Sequence, residues 1–195
     1  MKKLLFLHGF FASGGCPMAI ALRDGLRAEA EVLTPDLPLS PNAALDYIRA
    51  ICKEAHPDIL VGNSCGSFYA QIIANELQIP ALLGNPYFEM PVFLRERIGS
   101  HKYKSPRKDG RQDFEITDDL VAEFQQVQDR QFRNLSPSMT SKIWGIFGDS
   151  DPIAHYESLF LAHYSRSFHF PGAHTPTAEE VQVYYLPVVR EMMME

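Results

Sequence analysis

Ile59-Leu60-Val61-Gly62-Asn63-Ser64-Cys65-Gly66 is the stretch that decides the expected fold of this chain. Its first three residues form a short apolar run, and after Ser64 apolar residues recur at helical spacing as far as Leu77. This pattern predicts a buried strand over 58–61 that turns sharply into a helix over Cys65–Leu77. The five central residues fit G-x-S-x-G, in which small residues at both ends leave room for a serine on a strained strand-to-helix turn.

Five further apolar runs of strand length alternate with helical patterns along the 195 residues. Most of these runs are continuous, which is typical of strands that are buried on both faces. The predicted strands cover 3–7, 31–34, 81–83, 143–147 and 167–170. The predicted helices cover 17–28, 43–54 and 118–132, and a last helix begins at Thr177 and is interrupted at Pro187. We therefore expect a compact α/β fold with about six mainly parallel strands and helices on both faces.

Residues 88–137 break this rhythm, because they contain only one clear helical pattern between two predicted strands. We interpret them as a short lid-like insertion within a single domain over 1–195, and not as a second domain. Within them, residues 95–111 hold seven of the 18 Lys and Arg residues. The simpler interpretation of this basic stretch is a solvated loop that nearby acidic residues balance. The alternative is a contact with an anionic leaving group, such as that of a coenzyme A thioester.

Composition and charge exclude several classes of protein. The net charge of −6 argues against a general nucleic-acid binder, because phosphate binding needs an excess of Lys and Arg. Cys16, Cys52 and Cys65 are scattered, and no spacing of Cys and His indicates zinc. Scattered cysteines favour a reducing compartment, so we expect a cytoplasmic protein. The apolar run near the N-terminus is too short for a signal peptide, and no stretch reaches the roughly 20 apolar residues of a membrane span.

A serine hydroxyl needs a base to act as a nucleophile, and His174 is the strongest candidate among the seven histidines. It follows the last predicted strand in Pro171-Gly172-Ala173-His174, a loop of small residues that can bring an imidazole to the sheet edge. His169 lies on that strand and is expected to have a structural role. Weaker claims belong to His8, His56, His101, His155 and His163.

The base in turn needs a carboxylate that fixes its tautomer and stabilises the imidazolium. Two aspartates follow the strand predicted over 143–147, in Gly148-Asp149-Ser150-Asp151-Pro152. We favour Asp151 because it lies past the tight turn, whereas Asp149 can shape that turn with its own side chain and is kept as the alternative acid. Serine, acid and histidine then occur in the chain order of α/β-hydrolases, each just after a predicted strand.

Negative charge on a reacting carbonyl oxygen requires backbone N–H donors close to the serine. The N–H of Cys65, at the start of the predicted helix, is one candidate for this oxyanion hole. The N–H of Phe10, in the loop His8-Gly9-Phe10 after the first strand, is the other. Ser13 is placed to support this loop.

With these motifs the sequence resembles the YqiA-like (UPF0227) small bacterial esterases of the α/β-hydrolase superfamily. The residues that carry the resemblance are Leu7-His8-Gly9-Phe10 with Ser13, Pro35-Asp36-Leu37-Pro38, the turn at 62–66, Gly84-Asn85-Pro86, Asp151-Pro152-Ile153-Ala154-His155-Tyr156, Gly172-Ala173-His174 and Tyr185-Leu186-Pro187. The resemblance implies an acid at Asp151, carboxylesterase or thioesterase activity, and no cofactor or metal. The chain departs from the family pattern at Cys65, where leucine is common, and over 88–137, which would shape the acyl pocket.

Together these features predict a serine hydrolase that cleaves carboxylic esters or thioesters through an acyl-enzyme on Ser64. The expected partner is a small-molecule acyl ester or thioester, with no nucleic acid and no membrane span. Two alternatives stay open. The chain could be a catalytically silent interaction protein on a hydrolase scaffold, or a triad enzyme that acts as a peptidase or lyase.

Overall fold

A computed structural model of residues 1–195 has a six-stranded parallel sheet at its centre. The strands of the chain are β1 (Lys2–Leu7), β2 (Ala30–Leu33), β3 (Ile59–Asn63), β4 (Ala81–Gly84), β5 (Gly99–Lys102), β6 (Asp113–Ile116), β7 (Ile143–Gly148) and β8 (Arg166–Phe170). The central sheet has the order β2-β1-β3-β4-β7-β8, and all of its pairings are parallel. β5 and β6 form a separate antiparallel hairpin. The predicted six-stranded parallel arrangement is confirmed.

Helices cover both faces of this sheet, as predicted. They are α1 (Pro17–Leu26), α2 (Pro41–Ala55), α3 (Cys65–Leu77), α4 (Met90–Arg95), α5 (Asp118–Gln128), α6 (Pro137–Thr140), α7 (Glu157–Leu161), α8 (Ala178–Glu180) and α9 (Leu186–Met194), with a π-helical turn over Val181–Tyr185. Leu5 and Leu7 of β1 belong to an apolar cluster with α2, α3 and α5, whereas Leu4 and Phe6 belong to another with α1 and α9. Because both faces are buried, the central strands read as continuous apolar runs.

The strand order creates a crevice at one edge of the sheet. From β1 the chain crosses to β2 on one side and then returns to β3 on the other, so the topology switches between β1 and β3. Ligands of open α/β sheets bind outside the carboxyl ends of the strands at such a switch point. The loop that starts at His8 follows β1, and Ser64 follows β3. The topology therefore brings the predicted oxyanion loop and the predicted nucleophile side by side.

The insertion over 88–137 holds more regular structure than its sequence predicts. Besides α5, which ends at Gln128 instead of the predicted 132, it contains α4 and the hairpin of β5 and β6. β5 has the sequence Gly-Ser-His-Lys and alternates only between half-buried and exposed positions, so it lacks the apolar signal of a strand. A ten-residue connection over 103–112 also lacks the short turn that marks a hairpin in sequence.

The interruption expected at Pro187 takes the form of the π-helical turn. The capping box predicted at Thr177 and Glu180 is present with both of its hydrogen bonds. After it the chain winds as a π-helix, in which the N–H of Leu186 reaches the carbonyl of Val181. Pro187 has no N–H, so the ordinary helical hydrogen bond is lost there and the α-helical register restarts at Leu186.

Candidate active site

Ser64 lies on a strained turn between β3 and α3. Its backbone angles are φ 55° and ψ −118°, a conformation that residues with a side chain rarely adopt. The turn is tight enough to exclude side chains on both sides of it. A Cβ on Gly62 would lie 2.5 Å from the carbonyl oxygen of Gly66, and a Cβ on Gly66 would collide with the carbonyl of Leu7. These contacts explain why the sequence needs glycine two residues before and two residues after the serine.

The structure brings Ser64, His174 and Asp151 into one hydrogen-bonded chain. Nε2 of His174 lies 2.8 Å from Oγ of Ser64, and Nδ1 of His174 lies 2.7 Å from Oδ2 of Asp151. The three residues come from the loops after β3, β7 and β8, at the same edge of the sheet. With Nδ1–H donating to Asp151, Nε2 is left as the acceptor for the Ser64 hydroxyl proton.

Asp151 is held as a carboxylate by its surroundings. Its side chain is 3% exposed, and its second oxygen accepts hydrogen bonds from the backbone N–H groups of Ile153 (2.9 Å) and Ala154 (3.0 Å). Burial alone would raise the pKa of Asp151. The hydrogen bonds from His174, Ile153 and Ala154 outweigh burial, so that the pKa falls below its ordinary value.

Asp149, the alternative acid, makes its hydrogen bond to a different histidine. Its Oδ1 lies 2.8 Å from Nδ1 of His169, whose Nε2 lies 2.8 Å from Oε1 of Glu157. Hydrogen bonds to the two carboxylates raise the pKa of His169 above its ordinary value. His169 of β8 therefore joins Asp149, in the loop after β7, to Glu157 of α7, and the structure does not bring Asp149 to His174.

The loop after β1 passes next to Ser64. A Cβ on Gly9 would lie only 3.5 Å from the Cβ of Ser64. The N–H of Phe10 has no acceptor within the protein, which leaves this predicted donor free for a ligand. Cys65 occupies the first position of α3, and burial raises the pKa of its thiol to about 12. As the first residue of a helix, Cys65 has a backbone N–H with no partner inside the helix, so this N–H can point at the site. The raised pKa keeps its thiol protonated.

His8, which had a weaker claim than His174 as the base, fixes the shape of this loop instead. Its ring is buried, and burial lowers its pKa to about 4, so it is neutral at ordinary pH. Nε2 accepts a hydrogen bond from the N–H of Leu37 (2.9 Å), which leaves the proton on Nδ1 to donate to the carbonyl of Gly9 (2.8 Å). His8 thus ties the predicted oxyanion loop to the segment after β2.

Asn85 is a candidate positioning residue whose role could not be read from the sequence. It is 1% exposed, and its side chain joins the two loops that carry the predicted acid and base. Oδ1 accepts from the N–H of Gly148 (2.7 Å), and Nδ2 donates to the carbonyls of Ala173 (3.0 Å) and His174 (2.9 Å). In the sequence Asn85 appears only within Gly84-Asn85-Pro86, one of the motifs that carry the resemblance, and this motif does not predict its partners. Its backbone is left-handed (φ 38°), a conformation that asparagine tolerates well.

A cavity of about 340 Å³ opens beside the hydrogen-bonded chain. Ser64 and His174 line it, together with apolar side chains that include Phe10, Met18 and Ile153. The insertion over 88–137 contributes further wall residues, which are Phe93, Lys104 and Ser105. A cavity of this size and apolar character suits a small organic ligand with a reactive group near Ser64.

No group of three or more His, Cys, Asp or Glu side chains is arranged to hold a metal ion. None of the helices combines the length and the apolar character that crossing a membrane requires. Cys16, Cys52 and Cys65 are all free thiols in buried positions.

Several solved structures have an architecture similar to that of this chain. Est1E from Butyrivibrio proteoclasticus is 18% identical with a TM-score of 0.71, over 100% of this chain and 89% of that one. A thermophilic esterase from Thermogutta terrifontis, with malate bound, is 15% identical with a TM-score of 0.68, over 99% and 91% of the two chains. A structure from the metagenome-derived lipolytic enzymes LipS and LipT is 15% identical with a TM-score of 0.73, over 99% and 94%. At these identities the likeness concerns the fold. The model of the Alpha/beta hydrolase family matches residues 4–186, nearly the whole chain, and the protein therefore belongs to that family.

Proposed function

We propose that this protein is a serine hydrolase that cleaves carboxylic esters or thioesters through an acyl-enzyme on Ser64. The observation that carries the proposal is the hydrogen-bonded chain from Ser64 through His174 to Asp151. The membership in the alpha/beta hydrolase family supports it, as do the esterases among proteins of the same fold. We keep the narrower YqiA-like membership and a cytoplasmic location as part of this proposal.

In the proposed first step, the Ser64 hydroxyl attacks the carbonyl carbon of the substrate while Nε2 of His174 takes the hydroxyl proton. Asp151 accepts the Nδ1–H bond throughout, which holds the ring orientation and stabilises the imidazolium that forms. The attacked oxygen becomes negatively charged, and the N–H groups of Phe10 and Cys65 are the proposed donors to it. The imidazolium then gives its proton to the departing alcohol or thiol, and the acyl group stays on Ser64.

In the second step, water attacks the acyl-enzyme. His174 takes a proton from the water, and the same oxyanion donors serve again. Collapse of the intermediate breaks the ester bond to Ser64, returns the proton to its Oγ and releases the carboxylic acid. The same groups act in both steps, so no cofactor is needed to balance the reaction.

We propose that residues 1–195 form a single domain that includes the insertion over 88–137, because residues of the insertion line the cavity beside Ser64. A cavity of about 340 Å³ favours a small acyl ester over a long peptide.

Hydrolysis of 4-nitrophenyl acetate, butanoate and hexanoate by the purified protein tests the proposal. We expect turnover that falls roughly 10⁴-fold or more in Ser64→Ala. The matched control is Ser158→Ala, which removes an exposed hydroxyl on α7 and should keep full activity. Equal activity in Ser64→Ala and the wild type would contradict the proposal.

A fluorophosphonate probe separates the remaining alternatives. Labelling of the wild type that is lost in Ser64→Ala, together with ester hydrolysis, is the result expected for the proposed enzyme. Labelling at Ser64 without hydrolysis of any ester would favour a peptidase or lyase. The absence of both labelling and hydrolysis would favour a catalytically silent scaffold.

A further inference from the structure

The walls of the cavity beside Ser64 carry one lysine, Lys104, and no arginine. His174 is the only other ionisable base among the lining residues, and no aspartate or glutamate lines the cavity. The Lys104 side chain forms neither an ion pair nor a hydrogen bond with the protein, and its Nζ lies 5.8 Å from the ring centroid of Phe11. Asp151, the carboxylate behind His174, does not line the cavity, so the wall that would face a substrate carries a lysine and no acidic side chain.

Most other cations of the basic stretch 95–111 are already engaged. The guanidinium of Arg97 donates to the carbonyl of Phe93, and Lys102 pairs with Asp113 on the hairpin. Arg107 pairs with Asp109 and Lys108 donates to a backbone carbonyl of the segment after β2. Arg95 and Arg111 are exposed and do not line the cavity. Among the seven cations, Lys104 alone is both unpaired and placed at the proposed site.

The backbone at Lys104 is fixed although its ammonium is free. The N–H of Lys104 donates to the carbonyl of Phe11 at 2.8 Å, in the loop that carries the proposed oxyanion donor. Two residues further on, the carbonyl of Pro106 accepts from the hydroxyl of Ser13 at 2.6 Å. These contacts hold the insertion against the loop after β1. The ammonium therefore extends from a fixed point at the cavity wall.

From this arrangement we infer that the enzyme prefers a substrate that carries a negative charge, and that Lys104 is the residue which recognises it. The inference rests on the proposed function and names the substrate class of the same site: an ester or thioester with a carboxylate or phosphate on its acyl or leaving group. A free ammonium stabilises such a group through a charge-assisted hydrogen bond, and because Lys104 is exposed at the cavity wall, this contact is weakened by salt. A neutral ester of the same length gains nothing from Lys104.

The experiment compares two pairs of esters, each made of a carboxylate and its methyl ester, with each rate divided by that of the same ester without enzyme. With charge on the acyl group, the pair is the 4-nitrophenyl monoester of adipic acid and its neutral methyl ester, which both release 4-nitrophenolate. With charge on the leaving group, the pair is 4-carboxyphenyl acetate and its neutral methyl ester. We expect kcat/KM to favour the anionic ester in at least one pair by roughly two- to fivefold at low salt, with a smaller preference at 0.5 M NaCl.

Three variants assign this preference to a residue. Lys104→Gln should bring the anionic-to-neutral ratio close to one, and Lys104→Arg should restore most of it. The matched control is Lys102→Gln, which removes an exposed lysine that pairs with Asp113 away from the cavity and should keep the wild-type ratio.

A ratio at or below one in wild-type protein that hydrolyses the neutral esters would overturn the inference and leave the proposed function intact. A preference that survives in Lys104→Gln would overturn the assignment to Lys104. If no ester is hydrolysed, the proposed function fails and the inference fails with it.

Discussion

Replacing Asp151 by asparagine tests how the proposed acid controls the imidazole of His174. One oxygen of Asp151 accepts the N–H groups of Ile153 and Ala154, and the other faces Nδ1 of His174. If asparagine keeps its oxygen on the two backbone N–H groups, its NH₂ faces Nδ1. Nδ1 must then act as an acceptor, and the imidazole proton moves to Nε2. With that proton in place, Nε2 cannot take the proton of the Ser64 hydroxyl.

The size of the effect follows from the two ways in which asparagine can fit. The first orientation gives the wrong tautomer, which costs about 10⁴-fold in kcat in a serine protease with the same arrangement, or about 5 kcal/mol of activation free energy. The opposite orientation keeps the tautomer but turns the NH₂ toward the N–H groups of Ile153 and Ala154. It loses two hydrogen bonds to a charged group, worth about 1.5–3 kcal/mol each. Because both orientations are costly, we expect kcat/KM to fall by roughly 10³- to 10⁴-fold.

The assay is hydrolysis of 4-nitrophenyl butanoate at pH 8, with thermal unfolding of each variant measured in parallel. Asp149→Asn is the matched control, since it removes the same charge two residues away from a carboxylate that contacts His169. We expect this control to keep activity within about threefold of the wild type. Asp151→Asn activity above a tenth of the wild type, or an equal loss in Asp149→Asn, would refute the assignment of Asp151 as the acid.

Three further predictions concern the parts that hold the site in place. Asn85→Ala removes hydrogen bonds to both the acid loop and the His174 loop, so it should lower kcat at least tenfold and cost about 2–4 kcal/mol of unfolding free energy, as measured in urea. Gly66→Ala forces a Cβ into the carbonyl of Leu7, so it should destabilise the fold by more than about 3 kcal/mol or prevent folding. The pKa of His8 is lowered from 6.5 to about 4 in the folded protein, so the unfolded state binds this proton first as pH falls. The wild type should therefore lose about 3 kcal/mol of stability through His8 between pH 7 and pH 4, and His8→Gln should lack this part of the loss.

Each of these predictions has a result that would contradict it. Full kcat in Asn85→Ala would show that the loops hold their positions without the amide. Gly66→Ala protein that melts at the wild-type temperature would mean that the turn is wider than the structure indicates. If wild type and His8→Gln lose equal stability on acidification, the buried imidazole does not have the low pKa on which that prediction depends.

The sequence predicted the parts of the fold that depend on local apolar patterning. Runs such as Leu4–Leu7 are continuous because both sheet faces are buried, and this property marks a central strand without any knowledge of its neighbours. The serine turn could be predicted because close backbone approach at Gly62 and Gly66 demands glycine, and this demand leaves a spacing in the sequence.

What the sequence could not predict depends on contacts between distant segments. β5 of the hairpin uses polar residues that carry no strand pattern, and the hairpin packs through His101 and Phe114 against the loop after β1. The link made by Asn85 joins loops 63 and 89 residues further along the chain, so no local motif records it. The basic stretch was visible as a charge cluster, yet only the folded chain shows that Lys104 faces the cavity while most of its neighbours are engaged elsewhere.

The most direct test of the central claim is to trap the acyl-enzyme. Rapid acid quenching of the protein during turnover of 4-nitrophenyl butanoate, followed by peptide mass spectrometry, should find a butanoyl group on the peptide that contains Ser64, formed at the rate of the first burst of nitrophenolate. Turnover without any such adduct, or an adduct on a different residue, would contradict nucleophilic attack by Ser64.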